Sequence, residues 1–127
     1  MQQRTRLYLI TLILAVPALG HHSITTYDLV HATTLDGAVA GFTWENPHAH
    51  IYLDVFSADK DVAEHWTIEL ESPNLLRRLG WDKNTLKPGD RIIATGGRAR
   101  NGSFNLRAVW IQFPDGRKLP GLPPPDN

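Results

Sequence analysis

The stretch "HAHIYLDVFSADKDVAEHWTIELESPNLLRRLG", residues 48–80, decides the fold class of this chain. It contains two runs in which apolar and polar side chains alternate, separated by the turn-forming sequence SADKD. Alternation with a period of two predicts strands with one buried face, so the two runs predict a β-hairpin. The segment after them begins with Ser72 and Pro73 and ends at Gly80, residue types that favour the start and the stop of a helix. The stretch therefore predicts strand, strand and short helix.

The alternation also predicts which side chains meet across the hairpin. The register that brings the two polar faces together places His50 opposite Glu69 and His48 opposite Glu71. A slip of two residues would keep the same faces together, so that alternative stays open. Directly opposed side chains lie about 5 Å apart at Cβ. We therefore expect the two imidazoles and the two carboxylates to form one patch.

Three further segments, 35–44, 91–97 and 105–113, are typical of strands, and Asn101-Gly102 is a hairpin signal between the last two. The order is three strands, a helix and two strands. It predicts a mainly β fold, a small five-stranded antiparallel OB-fold-like barrel with one short helix between strands 3 and 4. An open sandwich or a meander covered by the helix is the alternative. The tryptophans on strand faces, Trp66 and Trp110, are predicted to lie in the core.

The ends of the chain differ in composition from its middle. Residues 1–20 combine a basic start, a short apolar run and small residues before a cleavage site, which predicts a signal peptide rather than the alternative, a membrane anchor. Residues 21–34 are interpreted as an N-terminal arm, 35–119 as the OB-like barrel domain and 120–127 as a proline-rich tail. We expect a periplasmic or secreted protein without a stable membrane anchor. The chain has no cysteine, so its core must hold without disulfides.

Charge is unevenly distributed along the chain. Residues 21–71 contain nine acidic residues and one basic residue, whereas residues 72–127 contain ten basic and four acidic residues. The first half therefore favours cations and the second tolerates anions, unless folding interleaves the two. Arg98, Arg100 and Arg107 flank the last hairpin and predict a solvated edge or, alternatively, an anion patch. A net charge near zero, together with export, argues against nucleic-acid binding.

Cleavage after residue 20 gives the sequence its strongest indication of metal binding. The mature chain then begins His21-His22, and the free α-amine and the imidazole of His21 can chelate one metal ion. One more histidine from the barrel would complete a copper-like site. Cleavage one residue earlier instead makes His22 the third residue, which is a square-planar nitrogen site for Cu(II) or Ni(II). The predicted metal ligands are His21, His22 and His48, with His50 and Glu69 as auxiliary or outer groups, and the predicted ion is copper or another transition metal.

Two other classes of function compete with metal or small-ligand binding. The first is a protein-interaction or accessory module of a periplasmic or membrane complex, which would bind through the barrel face and the tail. The second is a small enzyme in which Glu69 orients His48 as a base. The short chain lacks insertions that would enclose a substrate, which favours a non-enzymatic role. A third interpretation of the patch is the mutual stabilisation of opposite charges on an exposed sheet face.

Five segments of the chain resemble a known family. HHS, WENPHAHIYLDV, WTIELESPNLLRRLGW, LKPGDRI and FPDGRKL are similar to the exported bacterial family catalogued as domain of unknown function 6152, over essentially the whole mature chain. The family pattern falls on His21, His22, Ser23, Trp44, Asn46, Pro47, His48, Glu69, Gly80, Trp81, Pro88, Gly89 and Asp90. His50 lies where the pattern is loose, which favours His48 over His50. The resemblance implies an exported domain and motif positions, without an activity.

Overall fold

The computed structural model describes residues 26–123, which form one β-sheet and one short helix. The elements are β1 (Tyr27–Thr43), β2 (His50–Val55), β3 (Glu64–Glu69), α1 (Pro73–Arg78), β4 (Arg91–Ala99), β5 (Asn105–Gln112) and β6 (Lys118–Pro120). The predicted mainly β class and the helix between the third and fourth strands are confirmed. The predicted number of strands is corrected from five to six in the described part of the chain.

The sheet has the strand order β3-β2-β1-β4-β5-β6, and β3 also pairs with β5. Neighbours in that order are antiparallel, whereas β3 and β5 run parallel, with Thr67–Glu69 beside Asn105–Arg107. Strand β3 is thus bonded on both edges. The parallel pairing places Glu69 directly beside Arg107.

The predicted register of the β2–β3 hairpin is confirmed, since His50 faces Glu69 and Asp54 faces His65. The apolar side chains explain why this register is stable. Ile51 and Ile68 are opposite each other and fully buried, as expected for the inner face of the sheet. A slip by one residue would expose both of them to water.

The helix begins and ends where its sequence predicts. The Ser72 hydroxyl accepts a hydrogen bond from the Leu75 N–H at 3.5 Å, and Pro73 occupies the first turn. At the other end Gly80 has a φ of 94°, a left-handed conformation that glycine adopts without strain. Leu76 is fully buried and anchors the helix on the core.

The first strand extends further towards the N-terminus than the sequence indicated. Residues 27–34, interpreted above as part of an arm, belong to β1 and pair with β4 as far as the Tyr27–Ala99 pair. The register shifts between Asp28 and Ala32. The polar composition of this segment is explained by its place in the sheet, because its side chains from Val30 to Ala32 are exposed.

The last strand, β6, was missed by the sequence analysis. It pairs with the end of β5 through a turn that contains Gly116, with a φ of 85°. The sequence Pro-Asp-Gly that forms this turn is a recognisable turn signal. Pro120, placed above in the tail, is the final residue of β6 and lies at the sheet edge, where a proline is tolerated.

The prediction that Trp110 lies in the core is wrong, whereas Trp66 is buried as predicted. Thr95 pairs with Trp110 and Gly96 pairs with Ala108, so one residue of β5, Val109, has no partner in β4. Such a bulge reverses the alternation along the strand. Trp110 therefore points outward and is 44% exposed.

Buried apolar residues from β1 to β5, the helix and the following loop form a single core. Within residues 26–123 there is no helix with the length and apolar character needed to cross a bilayer. The predicted signal peptide, residues 1–20, lies outside the described part of the chain.

Candidate functional site

Five polar side chains meet where β3, β5 and the start of β1 come together, and we call this group the His48 cluster. Its members are Tyr27, His48, Glu69, Glu71 and Arg107. Arg107 lies at the centre and is 7% exposed, the one buried charged residue in the described part of the chain. Its guanidinium donates hydrogen bonds to Glu69 Oε1 at 2.8 Å, to the Leu70 carbonyl at 2.7 Å and to Glu71.

Glu69 is the acceptor that most of the cluster shares. Its Oε1 receives Arg107 and lies 2.7 Å from His48 Nδ1, while its Oε2 accepts the Tyr27 hydroxyl at 2.7 Å. The side chain is only 15% exposed. Both oxygens of this carboxylate are therefore already occupied within the protein, which limits the room for an external ligand.

His48 lies just before β2 and forms the edge of the cluster that reaches solvent. Its Nδ1 is 2.7 Å from Glu69 Oε1, 3.1 Å from the Leu70 carbonyl and 2.7 Å from Arg107 Nη1. The imidazole is 31% exposed. One side of the ring is thus held by the cluster, while part of it stays accessible.

Tyr27 closes the cluster from the first strand. Burial raises the pKa of the Tyr27 hydroxyl well above its usual range, and the hydrogen bond to the Glu69 carboxylate raises it further. The hydroxyl therefore stays protonated near neutral pH and keeps donating to Glu69. This contact fixes the start of β1 beside the cluster.

His50 lies opposite Glu69 on the outward face of the hairpin but makes no side-chain hydrogen bond within residues 26–123. Burial lowers the pKa of His50, and the positive charges of His48 and Arg107 act in the same direction against the attraction of Glu69. The lowered pKa favours the neutral imidazole at physiological pH. Neutral imidazole is the form that binds metal ions.

The structure brings together three of the five predicted metal ligands. His48 contacts Glu69 directly, and His50 faces Glu69 from the next strand. His21 and His22 lie outside the described residues, so their part in the predicted site stays a prediction. Within residues 26–123 no group of three or more histidine, cysteine, aspartate or glutamate side chains is arranged to hold a metal ion.

Two residues of the cluster were missed from sequence. Arg107 was interpreted as part of a solvated edge or an anion patch, whereas it is buried against two carboxylates. Its position between Leu106 and Ala108 on an alternating strand indicated only that it faces away from the core. Its partner Glu69 is set by the parallel β3–β5 pairing, which no local pattern reveals. Tyr27 carried no signal, because it lay in a segment interpreted as an arm.

Comparison with known proteins places the chain in a family. No curated protein and no solved structure matches it. A family model matches residues 10–106, which is more than half of the chain and includes β1 to β4 and the first residues of β5. The model is described as "Family of unknown function (DUF6152)", and this chain belongs to that family.

Proposed function

We propose that this chain is an exported binding protein, periplasmic or secreted, that holds a transition-metal ion, preferably copper, and is not an enzyme. The ligands are His48 from the folded domain and His21 and His22 from the mature N-terminus, with His50 and Glu69 as auxiliary groups. One observation carries the proposal. The partly exposed ring of His48 is held at Nδ1 by the carboxylate of Glu69, which Arg107 fixes in turn.

A histidine oriented by a carboxylate is typical of metal sites, because the outer partner fixes the ring and increases the basicity of the ligand nitrogen. Since both oxygens of Glu69 are engaged by protein groups, Glu69 serves better as the orienting group than as a ligand. The neutral imidazole favoured at His50 is available as an additional nitrogen donor. The acidic first half of the chain is compatible with a cation as the guest.

The proposal needs ligands from the N-terminus, because the described residues do not supply three on their own. Chain length makes this feasible. His22 precedes Tyr27 by five residues, so its Cα can be at most about 18 Å from the Cα of Tyr27. The Tyr27 hydroxyl is bonded to Glu69, the same carboxylate that contacts His48. The first mature residues are therefore within reach of the accessible side of His48.

The proposal includes a more specific fold, a small OB-fold-like barrel. The support is the circuit of strand pairs β1-β2-β3-β5-β4-β1, which leaves no free edge between β3 and β5 where they meet. The helix between the third and fourth strands is the arrangement expected of this fold.

The test uses protein whose N-terminus is His21 and measures Cu(II) binding by native mass spectrometry and by titration. We expect one copper ion per chain. His48→Ala should weaken binding by more than the about 10- to 100-fold that loss of an outer-shell partner costs. His65→Ala is the matched control, because His65 also bonds a carboxylate through Nδ1, at 2.6 Å from Asp54, but lies outside the cluster. Absence of bound copper at micromolar protein, or equal losses in both variants, would contradict the proposal.

A second candidate function is a metal-independent protein-interaction module, and exposed apolar side chains favour it. Phe56 and Val62, in the loop between β2 and β3, are 69% and 73% exposed. Exposed apolar side chains that lie near one another can mark a protein contact. A partner that binds the wild type and His48→Ala equally, but is lost from the double variant Phe56→Ser, Val62→Ser or on deletion of residues 120–127, would support this candidate.

A further inference from the structure

We infer that Glu69, supported by Arg107, fixes His48 as the tautomer with its proton on Nδ1, so that Nε2 is the nitrogen offered to a ligand. This inference rests on the proposed function and deepens it. It assigns Glu69 and Arg107 as positioning residues and specifies the atom through which His48 would bind an electron-accepting ligand such as a metal ion.

The argument begins with the hydrogens of Arg107. The nitrogen Nη1 carries two N–H groups, and two acceptors surround it, Glu69 Oε1 at 2.8 Å and the Leu70 carbonyl at 2.7 Å. Both hydrogens are therefore accounted for. The short distance of 2.7 Å between Nη1 and His48 Nδ1 then has no hydrogen left to make it a bond from Arg107.

The surroundings of His48 Nδ1 lead to the same result. Glu69 Oε1 at 2.7 Å and the Leu70 carbonyl at 3.1 Å are both acceptors. A bare Nδ1 would direct its lone pair at the carboxylate, which costs free energy because like partial charges face each other. A protonated Nδ1 instead donates to Glu69, and this removes the conflict.

The remaining ring nitrogen follows from this assignment. A neutral imidazole with its proton on Nδ1 has its lone pair on Nε2. No hydrogen bond to Nε2 is formed within the described residues, and the ring is 31% exposed. His48 is thus prepared to accept a metal ion or a hydrogen-bond donor through Nε2 from the solvent side.

Nuclear magnetic resonance tests the tautomer without any metal. Metal-free mature protein, labelled with ¹⁵N and held at about pH 8, where an ordinary histidine is neutral, is studied by long-range ¹H–¹⁵N correlation of the rings. We expect His48 to show a protonated Nδ1 and a bare Nε2 in the large majority of molecules. A predominant Nε2–H form, an even mixture of the two forms, or a ring protonated on both nitrogens would overturn the inference.

Two variants distinguish positioning by Glu69 from a general effect of the fold. Glu69→Gln removes the charge and should raise the population of the Nε2–H form of His48 at least severalfold. Asp54→Asn is the matched control, because it should alter only His65, whose Nδ1 contacts Asp54. If Glu69→Gln shifts His48 no more than Asp54→Asn does, the positioning role is overturned. The wild-type spectrum decides the tautomer even where Glu69→Gln does not fold, and missing copper binding would overturn the proposed function alone.

Discussion

Arg107 supplies the only positive charge in hydrogen-bond contact with two largely buried carboxylates, Glu69 and Glu71, in the described part of the chain. Its contact with the Leu70 carbonyl ties the group to the backbone of the segment that leads into the helix. A buried charge without its partner is costly, because desolvation is no longer offset by attraction. The cluster is therefore both the candidate site and a determinant of stability.

We predict that Arg107→Ala lowers the free energy of unfolding by about 3 kcal/mol, since it leaves two carboxylates unpaired in a poorly solvated place. Arg91→Ala is the control, because the Arg91–Asp36 pair is about two-thirds exposed on both sides. Such a pair contributes about 1 kcal/mol or less. Urea unfolding followed by tryptophan fluorescence measures both. Similar losses in the two variants would show that burial of Arg107 has no special weight.

Tyr27 should give the stability of the protein a dependence on alkaline pH. The hydroxyl bonded to Glu69 contributes about 2 kcal/mol, as expected for a hydrogen bond to a charged group. Because the folded pKa of Tyr27 is raised, this contribution is fully present below about pH 10, the ordinary tyrosine value. Above it the unfolded chain loses the proton while folded Tyr27 keeps it, so stability falls as pH rises.

The measurement compares the urea unfolding of the wild type and Tyr27→Phe at about pH 8 and about pH 11, on either side of the ordinary pKa. The difference in stability between them should shrink at the higher pH. In a Glu69→Gln background the cost of Tyr27→Phe should be smaller at both values. A difference that does not change with pH would refute the assignment of the raised pKa.

At the scale of strands, the approach of β4 to β5 determines where Arg107 lies. A Cβ on Gly96 would overlap the backbone carbonyl oxygen of Arg107, so only glycine allows the two strands to pair at this point. The bulge at Val109 follows directly and turns Trp110 outward. The close approach and the bulge together place the guanidinium between β3 and the start of β1.

We therefore predict that Gly96→Ala costs free energy of unfolding near the upper end of the about 1–3 kcal/mol typical of overpacking. It should also increase amide hydrogen exchange in β5. Gly41→Ala is the matched control, because Gly41 is also a strand glycine but its Cβ would meet only a carbon of the Tyr52 ring, at 3.2 Å. Equal effects of the two substitutions would contradict the structural role of Gly96.

The elements differ in how far the sequence predicts them. The hairpin register and the helix follow from local patterns, because a strict alternation and a complete set of helix caps leave little choice. The bulge at Val109 does not, since nothing in the strand itself marks the extra residue. The β3–β5 pairing is a long-range contact between two strands with adequate partners elsewhere, so the neighbour of Glu69 could not be predicted.

At the scale of the whole molecule, the two oppositely charged halves of the sequence meet inside the fold. Glu69 and Glu71 come from the acidic half and Arg107 from the basic half, and the cluster neutralises them partly against each other. This interleaving was one of the alternatives left open by the sequence. It leaves His48 and His50 near the surface, where the N-terminal histidines can reach them.

The most direct test compares two forms of the mature protein, one beginning with a free His21 amine, verified by intact mass, and one with an additional methionine before His21. Both are titrated with Cu(II). We expect one copper ion per chain in the first form and an affinity lower by at least about 10-fold in the second, because the α-amine can no longer chelate together with the His21 ring. Absence of copper binding by the first form, or the same affinity in both, would contradict a metal site shared between the N-terminus and His48.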